Sequence, residues 1–204
     1  MISRSMCTRA ALALAMTTAA AALPGPALAQ QAGPWLVRLR AVNLDSADKD
    51  DTGLDLALSS KVIPEVDISY FFTPQFAAEL VLTYPQKHTV KAGGTEIGSL
   101  KHLPPTLLAQ YHFTQFGGIK PYVGAGINYT RFSSVELPAG VDIERSSVGA
   151  ALQVGVDIAL QKNLLLNVDL KKLQIRTDVS AGGTQLGTFK VDPLLFGVGL
   201  GWRF

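Results

Sequence analysis

Apolar and polar residues alternate with a period of two over residues 35–44, 61–71, 76–84, 101–113, 121–132, 147–160, 164–175 and 189–204. Successive side chains of a strand point to opposite faces, so each run predicts a strand with one continuously apolar face. Each run is near or above the ~9–11 residues that a tilted strand needs to cross a bilayer. The connectors alternate as regularly as the residues do. They run long (45–60), short (72–75), long (85–100), short (114–120), long (133–146), short (161–163) and long (176–188). Membrane barrels have this layout, with short periplasmic turns and longer loops outside. An even number of strands then puts both termini in the periplasm, and closure follows because lipid cannot hydrogen-bond a free sheet edge. The pattern predicts an all-β fold, an eight-stranded antiparallel transmembrane β-barrel.

The two strand faces differ in kind. One reads Val123, Ala125, Ile127, Tyr129 and Val148, Ala150, Leu152, Val154, Val156, Ile158; the other carries Gly124, Gly126, Gly149, Gly155, Gly197, Gly199 and Gly201. A solvated face would carry Thr, Lys or Glu, whereas glycine suits the crowded interior of a narrow barrel. The apolar face is therefore the lipid face. The last strand agrees: Phe196, Val198, Leu200, Trp202 and Phe204 alternate up to a terminal aromatic, which resembles the signal by which outer-membrane barrels are recognised for insertion. Two of the long connectors share a sequence. VKAGGTEIGSLK at 90–101 echoes VSAGGTQLGTFK at 179–190. Each Gly-Gly pair supplies the positive φ angles of a tight turn, so both connectors are expected to be β-hairpins prolonging the wall.

Composition adds an address. Arg4 and Arg9, the apolar run 10–22 and Ala27-Leu28-Ala29 have the layout of a secretory signal peptide over residues 1–29, leaving the barrel at 30–204. Cys7 is the single cysteine and leaves with the signal, which excludes disulfides and thiolate chemistry in the mature chain. The 18 Lys and Arg, without Arg4 and Arg9, become 16 against 16 Asp and Glu. A balanced charge offers no basic excess for nucleic acid.

Sorting the inward residues by height separates two zones. Near the short-turn end lie Arg38, Arg40, Glu65, Asp67, Glu79, Gln110, His112, Asp157, Asp169 and Arg203. Both signs are present, so the set can satisfy itself by pairing, as charges in a narrow interior must. It reads as a polar plug. Higher up lie Val42, Leu44, Ile63, Val81, Leu108, Phe132, Leu173, Ile175, Val191 and Leu195. Leu36 and Leu165 low down, and Lys61, Thr130 and Lys171 elsewhere, depart from the trend. Eight strands enclose little more than their own side chains, which excludes a wide aqueous pore. The apolar upper set is either a closed core or a pocket for small hydrophobic molecules. Pro104-Pro105 removes two ladder donors. The pair either starts its strand or opens the wall for sideways exit into the bilayer.

No catalytic or metal constellation is present. His88, His102 and His112 fall in the second long connector, at the top of the fourth strand and near its bottom, so they do not converge on one metal. A lipid-modifying hydrolase would need a histidine beside a serine on the outer wall, and no His-x-Ser occurs. Glu65 and Asp67 face arginines in the lumen, which favours a salt network over acid–base chemistry. The chain is expected to be no enzyme and to need no cofactor or metal.

KHLPPTLLAQY at 101–111, PYVGAGINYT at 121–130, QVGVD at 153–157 and the closing Gly201-Trp202-Arg203-Phe204 resemble the signature stretches of the OmpW family. The resemblance covers essentially the whole mature chain. It implies a monomeric eight-stranded barrel of the bacterial outer membrane, with a hydrophobic channel linked to uptake of small apolar molecules, as in the family's alkane-import branch. Some members also serve as bacteriocin receptors through their outer loops. The expected function is passive uptake of small hydrophobic molecules through the upper lumen, with lateral exit at Pro104 and Pro105. The alternative is a structural or receptor barrel with a closed lumen whose loops bind a partner. Expected partners are outer-membrane lipid, the apolar solutes and the barrel-assembly machinery acting on the last strand.

Overall fold

A computed structural model describes residues 33–46 and 49–204. The expected signal peptide, residues 1–29 with Cys7, lies outside the described residues. In chain order the strands are β1 (Trp35–Asp45), β2 (Lys49–Asp50), β3 (Leu56–Leu58), β4 (Lys61–Phe71), β5 (Phe76–Thr83), β6 (Gln86–Ala92), β7 (Thr95–Leu103) and β8 (Thr106–His112). They continue with β9 (Ile119–Glu136), β10 (Val141–Ile143), β11 (Ser146–Ala159), β12 (Leu164–Leu173), β13 (Arg176–Ala181), β14 (Thr184–Lys190) and β15 (Leu194–Arg203).

Eight of them close into a ring in the order β1, β4, β5, β8, β9, β11, β12, β15 and back to β1, every pairing antiparallel. The seam between β1 and β15 is sealed to its last residue. Trp35 N–H donates to Phe204 O at 3.0 Å, and Phe204 N–H donates back to Trp35 O at 2.9 Å. Both described chain ends thus lie beside the short turns at 72–75, 113–118 and 160–163. Trp35, Tyr70 and Phe72, and likewise Phe76, Tyr111 and Phe113, interlock edge to face around this rim at 4.8–5.1 Å. The outward rows above them are apolar: Leu39 on β1, Val66 on β4, Ile127 on β9, Leu152 on β11 and Val198 on β15 are all exposed. On β9 this row passes through Tyr129 to Arg131, which marks the upper limit of the apolar belt.

Both echoing connectors are hairpins. β6 and β7 turn at Gly93 and Gly94 (φ 53° and 78°), and β13 and β14 turn at Gly182 and Gly183 (φ 56° and 82°). The likeness extends to an irregularity: the ladder slips between Val90 and Lys91 and between Val179 and Ser180, the same place in each hairpin. Each slip lies beside a glycine that a neighbouring backbone approaches. A Cβ on Gly98 would lie 2.0 Å from Glu136 O, and one on Gly187 2.8 Å from Asp51 O. The first hairpin joins β3 and the prolonged top of β9; the second forms a separate four-stranded sheet with β10 and β2.

Several strands end differently from their sequence expectation, β9 among them, which runs on from the expected 132 to Glu136. The run 101–113 breaks at Pro104-Pro105 into β7 and β8. The run 164–175 stops at Leu173, and the run 189–204 does not enter the wall until Leu194. Pro193 has no N–H for the ladder, and Asp192 takes a positive φ of 31°. Ile175 and Val191 therefore fall outside the strands, yet they meet there: Val191 N–H donates to Ile175 O at 3.0 Å.

Candidate functional site

The lumen has three layers. The lowest is a small apolar cluster of Leu36, Phe71, Ala77 and Leu165. Leu36 and Leu165, exceptions to the two-zone trend, are thus members of a layer that parity alone leaves unexplained. The polar residues are a middle layer and not the floor, and the cluster beneath them keeps the charges from water at that end.

Arg38 and Arg40 organise the middle layer. Arg38 clamps Asp157 with two bonds of 2.7 and 3.1 Å, and donates to Asp67 at 2.9 Å and Ser69 at 3.0 Å. Arg40 lies 2.9 Å from Glu65 and 2.7 Å from Asp67 as ion pairs rather than aligned hydrogen bonds. Its Nη2, the atom that faces Asp67, donates to Glu79 at 2.8 Å, and its Nη1 donates to Asn167 at 3.2 Å. Lys171 completes the set, 2.6 Å from Glu65 and 3.3 Å from Asp169. Three cations therefore face five carboxylates. The surplus acceptors are met by neutral donors: Tyr122 gives its O–H to Asp169 at 2.8 Å, Gln153 donates to Asp169 and Glu79 at 2.8 and 3.1 Å, and Gln110 donates to Glu79. His112 stacks on Tyr122 with ring centroids 4.8 Å apart and reaches Gln110 at 3.1 Å.

Nine of the ten residues assigned to the plug meet in this layer. Arg203 does not. It sits partly exposed at the short-turn rim, with its guanidinium 3.8 Å over the Phe71 ring and its Nε donating to Gly33 O at 3.0 Å. Lys171, an exception to the sequence trend, is a full member. Tyr122 and Gln153 are members that the sequence reading omits, although both stand on inward parity beside the glycines.

The ten apolar residues of the upper lumen come together without exception. Val42, Leu44, Ile63, Val81, Leu108, Phe132, Leu173, Ile175, Val191 and Leu195 form one cluster and are at most 3% exposed. They pack against one another and against the long connectors, so the lumen is closed in this conformation. Leu56 and Leu58 of β3, Val90 and Leu100 of the first hairpin, Ile143 of β10, and Val179 and Phe189 of the second hairpin are buried in the same cluster.

Pro104 and Pro105 mark the change of neighbour in the wall. β5 pairs with β8 up to Val81 opposite Thr106, and pairing resumes in the hairpin at Gln86 opposite His102. Residues 82–85 and 103–105 lie between the two ladders. On the lipid side of this interval a groove of about 370 Å³ is lined by Leu80, Pro105, Thr106, Leu107, Ile127 and Tyr129, among others.

Two histidines that sequence position keeps apart are adjacent. The hairpin brings His88 of β6 against His102 of β7, their rings stacked at 4.5 Å and 7°. Both are buried, and His102 meets Phe132 edge-on at 6.5 Å, so the pair borders the apolar cluster above the membrane belt. Burial pushes both imidazoles toward the neutral form and holds His102 down to about 3; Lys61 adds to the effect on His88. His112 lies far below. Among the described residues, no group of three or more metal-ligating side chains is assembled.

The OmpW family model matches residues 31–204. The uncharacterized outer-membrane protein y4mB of Sinorhizobium fredii is 42% identical, over 97% of this chain and 91% of its own. Outer membrane protein W of Vibrio cholerae is 32% identical over 91% and 95%. The dibenzothiophene metabolism operon protein PahQ of Pseudomonas aeruginosa is 26% identical over 89% and 93%. Among solved structures, the crystal structure of outer membrane protein OprG from Pseudomonas aeruginosa superposes with a TM-score of 0.71 at 27% identity, covering 85% of this chain and 96% of that one. Outer membrane protein AlkL, determined in lipid bilayers, shares the fold at a TM-score of 0.66 and 21% identity, over 89% and 95%.

Proposed function

This chain belongs to the OmpW family and is an outer-membrane β-barrel, and on that premise we propose that it carries small hydrophobic molecules passively inward through its upper lumen. The observation behind this reading is the ten-residue apolar layer seated above a sealed polar layer. A solute from the long-loop side would find an apolar environment and then a barrier it cannot cross. The charged layer is buried, cross-linked by ion pairs and hydrogen bonds, and gives an apolar molecule no favourable path. The exit is therefore sideways, at Pro104 and Pro105, where the ladders are interrupted and the groove already opens to lipid. In this orientation the long connectors face outward and both termini face the periplasm. The relative named for a dibenzothiophene operon fits, because dibenzothiophene is a small apolar aromatic. The barrel works as a monomer without cofactor or catalysis, and the assembly machinery recognises the strand ending in Phe204.

Since the upper lumen is closed here, entry requires the hairpins to part. The closed packing equally favours the second reading, a structural or receptor barrel whose connectors bind an external partner. Uptake of a radiolabelled hydrocarbon into vesicles with a lipopolysaccharide outer leaflet separates the two. Leu173→Arg and Ile175→Arg place a charge in the apolar layer and are expected to lower uptake at least tenfold. Folded variants that take up solute at the wild-type rate would remove the tunnel. Replacing Pro104 with Thr and Pro105 with Val restores two ladder donors and is expected to slow uptake several-fold while leaving solute binding unchanged. An unaltered rate argues that molecules leave by another route.

A further inference from the structure

The stacked histidines hold two buried polar atoms without a hydrogen-bond partner. His88 Nδ1 lies 3.0 Å from the carbonyl oxygen of Ser59, an acceptor only, so Nδ1 carries the proton. In a neutral imidazole the other nitrogen, Nε2, is then a bare acceptor. It is buried and has no hydrogen-bond partner, and neither has Nδ1 of His102. Two such atoms beside an apolar cluster are costly, and a protein barrel built only to be shut would fill the place with Leu or Phe. Val90 and Leu100 on the same hairpin and Phe132 across the ladder bring the apolar cluster up to the pair, and Lys61 is a cation close enough to act on His88.

We propose that His88 Nε2, supported by the stacked His102, receives the single hydroxyl or N–H donor of an otherwise apolar ligand entering the upper lumen. This deepens, and rests on, the uptake reading: among apolar solutes it gives a preference for neutral molecules with one donor, such as phenols, aliphatic alcohols or indoles. The pair stands in the first hairpin, above the ten-residue layer. An entering molecule would meet the histidines before the apolar layer.

Three probes of similar shape test it: 1-naphthol, which has a donor, 1-methoxynaphthalene, which has an oxygen but no donor, and naphthalene. Binding is measured to the whole barrel in nanodiscs, against empty nanodiscs as blank. The wild type is expected to bind 1-naphthol about tenfold more tightly than 1-methoxynaphthalene, the value of one hydrogen bond in a dry site. The ¹⁵N resonance of His88 Nε2 should move with 1-naphthol alone. His88→Phe keeps a stacked ring and should abolish the preference with naphthalene affinity unchanged. Equal binding of all three probes by the wild type, or a Nε2 resonance that ignores 1-naphthol, overturns the inference while leaving hydrocarbon uptake standing. Failure of the wild type to bind any probe overturns the uptake reading, and this one with it. The resonance shift is measured on the wild type, so the result does not depend on how well the variant folds.

Discussion

Arg40→Met is expected to lose about 3–5 kcal/mol of stability, a large share of the ~5–15 kcal/mol that holds an ordinary domain folded. Arg40 lies within 2.9 Å of oxygens on Glu65, Asp67 and Glu79 and 3.4 Å from Asp169, and it is essentially unexposed. Methionine matches much of its length but none of its charge. The four carboxylates would then share Arg38 and Lys171, in an interior where like charges cannot be screened by salt. The loss therefore comes mainly from stranded acids, not from the absent arginine. Adding Asp67→Asn and Glu79→Gln to Arg40→Met should recover a large part of it. Urea unfolding in lipid vesicles, followed by the heat-modifiable mobility of folded barrels, measures both variants. A single variant within about 1 kcal/mol of wild type would show that the layer is not organised by Arg40.

The second large effect has the opposite sign. Phe189→Ala is expected to speed hydrocarbon uptake by tenfold or more. Phe189 is 3% exposed on β14 and packs into the cluster that closes the upper lumen. Removing a buried phenyl ring costs about 3–5 kcal/mol. If the hairpins part to admit solute, much of that loss falls on the closed conformation alone, and about 1.4 kcal/mol raises the open population tenfold. The polar layer is untouched, so the barrel itself should remain folded. A folded Phe189→Ala protein with unchanged uptake would count against hairpin opening as the entry step.

Much of this arrangement can be read without coordinates because strand periodicity is a strong constraint. Once Val123 or Leu152 is assigned to lipid, every second residue is committed to the lumen, and the ten apolar lumen residues follow from parity and height. The Gly-Gly pairs likewise specify turns through φ, a local property. What parity does not carry is lateral position around the ring. It shows that Lys171 points inward, but not that Glu65, far back in the chain on β4, will be its partner at 2.6 Å. Leu36 and Leu165 look anomalous in sequence for the same reason, since their partners Phe71 and Ala77 come from other strands. The histidine pair is hidden because position assigns His88 to a connector and His102 to a wall strand. Pro104-Pro105 divides that strand, and the upper half belongs to the hairpin.

The seam closed by Trp35 and Phe204 has a bearing on how the chain reaches this structure. Its register joins Leu36 to Arg203 and continues to Asp45 and Leu194, so it links residues about as far apart in sequence as the barrel allows. Every other wall ladder joins strands closer along the chain, and the entropy of loop closure rises with that separation. The seam is thus the ladder with the highest contact order and the greatest entropic barrier. Folding of this barrel is a search between two open edges, and any factor that holds those edges near each other accelerates the one step the rest of the sheet cannot assist.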